Sequence, residues 1–108
     1  MTTTIIHEQT APSATTETVV YTVPALKFAI INNYSVCNRG ATATTARVSF
    51  SKSGGATATK DYNIYDLLIP PNDVYEATCG FTLGAGTVIR VYAGNASLSF
   101  QFFGKEDT

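Results

Sequence analysis

Ser97-Leu98-Ser99-Phe100-Gln101-Phe102 alternates polar and apolar side chains without a break, and this run decides the fold. A period of two puts Leu98, Phe100 and Phe102 on one side of an extended chain, with Ser97, Ser99 and Gln101 on the other. A helix would spread both sets around its circumference, so the segment is a strand with one buried face. Upstream, Thr87-Val88-Ile89-Arg90-Val91-Tyr92 is set off by Gly84-Ala85-Gly86 before it and Gly94-Asn95 after it. Val74 to Leu83 is a further strand, with Gly80 expected as a bulge or bend. Tyr62 to Ile69 is another, closed by Pro70-Pro71-Asn72-Asp73. Ala46, Val48 and Phe50 alternate with Arg47, Ser49 and Ser51, and Ser53-Gly54-Gly55 ends that strand.

Nearer the N-terminus, Leu26, Phe28 and Ile30 alternate with Lys27 and Ala29, but Ile31 breaks the phase. A bulge at Asn32-Asn33 restores it before Tyr34 and Val36. Asn38-Arg39-Gly40 reads as a turn. Glu17 to Val23 is β-branched and aromatic, and Pro24 stops it. The sum is seven or eight short strands with turn signals between them and no segment long enough in helical period to form a helix. Parallel pairing would need long crossovers that the chain lacks. The fold class is all-β: an antiparallel β-sandwich, jelly-roll-like, over residues 17–108. Residues 1–16 are rich in hydroxyls, contain Pro12 and have no sustained period. They read as an extended N-terminal arm, either mobile or ordered only by packing on a neighbour.

At 108 residues the chain holds one core. Phe28, Phe50, Phe81, Phe100, Phe102, Ile30, Ile64, Ile89, Val48, Val91 and Leu98 are expected to fill it, because the 17 Thr and 13 Ala contribute little apolar volume. Charged residues make up only 14% and the net charge is −1, which excludes the basic stripe of a nucleic-acid binder. The longest apolar run, Phe28 to Ile31, is far short of the ~20 residues that span a bilayer, so no membrane partner is expected. The start, Met1-Thr2-Thr3-Thr4-Ile5-Ile6-His7-Glu8, lacks the basic head and apolar core of a secretory signal and sets the expectation of a cytoplasmic origin. Strand faces carry few charges, chiefly Lys27, Arg47 and Arg90. Charge depletion of this kind is typical of surface that meets other protein.

Catalytic signals are weak, and no catalytic, cofactor or metal residue is assigned. His7 is alone in the arm. A carboxylate pair would have to come from Asp66 and Glu76. Cys37 and Cys79 lack the neighbours of a metal site and read as free thiols, a bridge between them being the alternative. Gly84-Ala85-Gly86 lacks the third Gly of a dinucleotide fingerprint and reads as a hairpin turn. Asn33-Tyr34-Ser35 and Asn95-Ala96-Ser97 match the glycosylation pattern, but it occurs widely by chance. Tyr62 and Tyr65 come near Tyr75 only if a hairpin forms around Pro70-Pro71; such tyrosines serve a core boundary, an interface or a ligand platform.

Two segments carry a resemblance. Val20-Tyr21-Thr22-Val23-Pro24-Ala25-Leu26-Lys27 runs into Ser35-Val36-Cys37-Asn38. Leu67-Leu68-Ile69-Pro70 is followed by the stretch from Gly80-Phe81-Thr82-Leu83-Gly84 through Ala93, ending in Ser97-Leu98-Ser99-Phe100. Over about residues 18–104 the chain resembles the small Thr/Ala-rich β-sandwich virion proteins of tailed bacteriophages. It departs from their pattern at Leu26, where a turn Gly is common, and at Pro71-Asn72, where Ala-Gly is common. The resemblance implies a non-enzymatic structural protein of the virion, a homo-oligomer and often a homotrimer. It would act as a capsid decoration (cement) protein that binds the major capsid protein of the assembled head and stabilises contacts between capsomers. A place on the tail, collar or fibre is the alternative, and a carbohydrate-binding module using exposed tyrosines is a further one. No cofactor is expected.

Overall fold

The chain doubles back on itself at one hairpin and rolls up from there. A computed structural model describes residues 3–108. Its strands are β1 (Thr4–Thr10), β2 (Thr18–Thr22), β3 (Phe28–Asn38), β4 (Thr44–Ser51), β5 (Tyr62–Ile69), β6 (Val74–Leu83), β7 (Val88–Ala93) and β8 (Leu98–Asp107), with a short 3-10 turn at Thr59–Asp61. β4 and β5 form the hairpin, and β3·β6, β2·β7 and β1·β8 continue the ribbon, all antiparallel. Rolling the ribbon brings β8 onto β3 and β7 onto β4. The outcome is two four-stranded sheets, β1-β8-β3-β6 and β2-β7-β4-β5, packed as a β-sandwich with jelly-roll strand order.

Among the described strands only the β4–β5 connection stays within one sheet. Gly84-Ala85-Gly86, expected as a hairpin turn, instead carries the chain from the first sheet to the second. Gly86 takes φ 86 there and donates its N–H to the Val23 carbonyl at 3.0 Å. Pro70 to Asp73 crosses in the opposite sense. A turn's composition specifies a local reversal, not whether the next strand pairs with the last one.

Val48, Ile89, Val91, Leu98, Phe100 and Phe102 are buried as expected, and Phe50, Ile64 and Phe81 pack half-buried against them. The phase of early β3 is the opposite of the expected one. Ala29 and Ile31 point inward, while Phe28 is 36% exposed. The bulge at Asn32 explains this. Ile31 lies opposite Gly104 and Asn33 opposite Phe103, so Asn32 is the extra residue and the inward phase changes from odd to even. Tyr34 and Val36 then enter the core. Tyr34 stacks on Phe102 at 5.2 Å and donates its hydroxyl hydrogen bond to Asn63 Oδ1 across the sandwich.

The expected arm is also revised. Met1 and Thr2 lie outside the described residues, but Thr4–Thr10 forms an edge strand, in unbroken register with β8 from Thr4↔Glu106 to Thr10↔Phe100. Its one buried apolar side chain is Ile6, and the adjacent Ile5 is 83% exposed, which is why no period appears in the sequence.

Leu26 lies in the left-handed region at φ 64 and is 91% exposed, at the turn closed by Lys27 N–H on the Pro24 carbonyl. Asn72 is similar at φ 54, so both departures from the resembled pattern keep glycine-type geometry. Leu26→Gly removes backbone strain of roughly 1–2 kcal/mol and loses part of it to unfolded-chain entropy. The expected result is a gain of about 1 kcal/mol and about 4 °C in Tm by thermal unfolding. A lower Tm would show that Leu26 packs productively.

Candidate functional site

The outer face of the second sheet carries one organised cluster, built by a bulge. Arg47 lies on central strand β4, with its side chain outward between the buried Ala46 and Val48. Tyr92 on β7 is directly opposite it. On the other flank β5 bulges between the pairs Ala46↔Leu67 and Val48↔Ile64, with Asp66 at φ 51. Two residues of β5, Tyr65 and Asp66, therefore stand opposite the single β4 residue Arg47, and both reach it.

Arg47 Nε donates to Asp66 Oδ1 at 2.6 Å and Nη2 donates to Oδ2 at 3.3 Å, a two-pronged pair. The guanidinium carbon lies 4.4 Å from the Tyr65 ring centroid and 4.5 Å from that of Tyr92. The hydrogen bond to Asp66 raises the guanidinium's proton affinity further, so the cation is permanent. Tyr62 meets Tyr65 edge-on at 4.8 Å. A cation held between two rings and a carboxylate loses its side-chain freedom before any partner arrives, and Tyr65 remains 58% exposed.

A second arginine shapes the rim. Arg90, outward from β7, donates through Nη1 to the Gly55 carbonyl at 2.9 Å and Thr57 Oγ1 at 3.2 Å, and through Nη2 to the Gly54 carbonyl at 3.2 Å. These bonds fold the β4–β5 loop back over the sheet. Between loop and tyrosines lies a concavity of about 490 Å³ lined by Thr57, Thr59, Tyr62 and Tyr65. Val19, 55% exposed, and Leu68, 61% exposed, flank the cluster on the two edge strands.

Apart from Tyr62, Tyr65, Asp66 and the strand-face arginines Arg47 and Arg90, the residues singled out in the sequence fall elsewhere. Tyr75 does not join them, because β5 and β6 belong to different sheets; it is half-buried, 6.3 Å from Tyr34. Asp66 pairs with Arg47, whereas Glu76 is exposed on the first sheet, so the two do not form a carboxylate pair. His7 stacks on Phe103 at 4.7 Å and shares Gln101 Oε1 with Gln9 Nε2, each at 3.0 Å. Cys37 lies opposite Val74, far along the ladder from Cys79, and both thiols are free. Burial pushes the Cys79 thiol up, and its Sγ donates to the Ile31 carbonyl at 3.3 Å. Asn33 sits mid-strand, and Asn95 Oδ1 accepts from Ser97 N–H in a turn. Among the described residues no group of three or more His, Cys, Asp or Glu could hold a metal ion.

Sequence reasoning marks Arg47 only as a sparse strand-face charge. The chemistry that gathers around it comes from the β5 bulge and the β7 register, neither of which has a local signature. The chain matches no protein-family model, no curated protein and no solved structure.

Proposed function

We propose that the protein is a structural assembly module of a virion: a capsid decoration protein that binds the assembled head of a tailed phage and stabilises contacts between capsomers. The observation that supports docking onto protein is the Tyr62–Tyr65–Arg47–Tyr92 surface. Tyrosine and arginine are the side chains that most often dominate protein interfaces, and here they are fixed in advance on a sheet face otherwise poor in charge. The virion assignment rests on the likeness of residues 18–104 to small phage sandwich proteins. Cementing needs no chemistry: a protein that binds the closed shell and not its separated subunits stabilises the shell by mass action.

The test is co-sedimentation of the purified chain with heads of the phage whose genome encodes it, stripped of this protein. Saturable binding in fixed ratio to capsomers is expected, and Tyr65→Ala and Arg47→Ala should each weaken it by roughly 30-fold or more, the loss typical of an interface anchor. Binding to tails or fibres and not to heads moves the protein to the tail apparatus. Binding to neither sinks the virion reading. The concavity beside Tyr62 and Tyr65 favours one second reading, a glycan platform. Binding of polysaccharide by the isolated domain, abolished by Tyr62→Ala, would support that instead.

A further inference from the structure

We infer that β1 is an exchangeable strand: the β1 of one copy completes the edge of β8 in a second copy of this chain. The first observation concerns how β1 is held. Its ladder is with β8 alone, and His7 on Phe103 and His7 and Gln9 on Gln101 add side-chain contacts to that strand, while Ile6 enters the core and Glu8 lies near Tyr21 of β2. Thr3, just before the strand, bonds Asp107 at the end of β8. The β1 of another copy has the same sequence and can make each of these contacts without change.

The second observation is the link between β1 and β2, residues 11–17. Thr15 there stands at φ 53 in a tight turn, with its N–H on the Ala93 carbonyl at 2.8 Å. Threonine is β-branched, and the left-handed region is strained for it. That strain exists because the link must reverse direction to bring β1 back onto its own β8. A strained, short hinge favours exchange, because opening it returns the residue to extended backbone. Opened, residues 11–17 reach about 24 Å, and the molecule's two short axes are 25 and 20 Å. The segment can therefore cross to a copy lying alongside.

A third observation separates β1 from the other sheet edges. β2, β5 and β6 each carry a register irregularity, whereas β1 carries none. Bulges blunt an edge against other chains; β1 keeps the regular geometry that a transferable strand needs.

The test uses Gln9 and Gln101, which face each other in register. Gln9→Cys with Gln101→Cys, in a background of Cys37→Ser and Cys79→Ala, is oxidised and run on a denaturing, non-reducing gel. Exchange links two or three chains covalently. Thr15→Gly removes the strain of the closed form and should weaken the assembly at least about tenfold; Thr15→Pro cannot adopt the left-handed turn and should strengthen it. Light scattering on the unaltered chain and on Thr15→Gly reads the same equilibrium without cysteines. Single-chain bands with monomeric scattering at every concentration overturn the inference, as does an assembly indifferent to both Thr15 changes. The exchanged assembly should survive Tyr65→Ala, so its failure and that of the docking surface are separable.

Discussion

Gly104→Ala is expected to cost about 4 kcal/mol or more, a large part of the roughly 5–15 kcal/mol that holds a domain of this size. Gly104 sits in β8 between Ile6 of β1 and Ile31 of β3. A Cβ at this position would lie 2.0 Å from the Ile30 carbonyl oxygen, 2.9 Å from its carbon and 3.0 Å from Ile31 Cα. All three are backbone atoms of a strand paired on both sides, so no side chain can swing away. The bulge at Asn32 is what presses β3 onto β8 here, and glycine is the residue that admits it. Relief requires β3 to shift, which opens the ladder that carries Phe100 and Phe102. Urea unfolding reads the loss as a fall in midpoint. A change below about 1 kcal/mol would mean that the strands lie further apart than described.

Asn38→Ala should cost about 3 kcal/mol. Asn38 is fully buried at the end of β3. Its Nδ2 donates to the Thr42 carbonyl at 2.9 Å and to the Ile69 carbonyl at 3.1 Å, while Oδ1 accepts from Gly40 N–H at 2.9 Å. Ile69 belongs to the other sheet, so one amide ties the two layers together at this end. Alanine leaves those groups without a partner, at roughly 1–3 kcal/mol for each group that stays buried. Asn38→Asp makes the stability depend on pH. The carboxylate faces two carbonyls it cannot donate to, so its folded-state pKa is raised. A raised pKa makes this variant most stable below the unfolded value of about 3.9 and progressively less stable as pH rises through the folded value. A flat pH profile, or a loss under about 1 kcal/mol for alanine, would place Asn38 in water.

These two positions show where sequence reading succeeds and where it stops. Leu98, Phe100 and Phe102 announce β8 because apolar volume alternates with small polar residues, and the same holds for Ala46, Val48 and Phe50 in β4. The bulge at Asn32-Asn33 is legible from the clash between Ile30 and Ile31, but not which side of it is out of phase. Gly104 has no local signature, since its role is set by a carbonyl on another strand more than seventy residues away. Asn38 reads as part of a turn but is the last residue of β3, its Oδ1 holding the Gly40 N–H just beyond; that the amide also reaches the opposite sheet depends on β5 ending beside it. β1 escapes a pattern-based reading because one buried isoleucine makes no period. The Arg47 cluster escapes it because it exists only once β7, β4 and β5 lie side by side.

The outer face of the second sheet is proposed to meet another protein. Hydroxyl-radical footprinting of the chain, free and bound to the proposed head particle, tests it most directly. Strong protection of Tyr62, Tyr65 and Tyr92 is expected in the particle, with His7 and Phe103 on the first sheet much less changed. Equal oxidation of Tyr65 in both states, with protection confined to the first sheet, would contradict it.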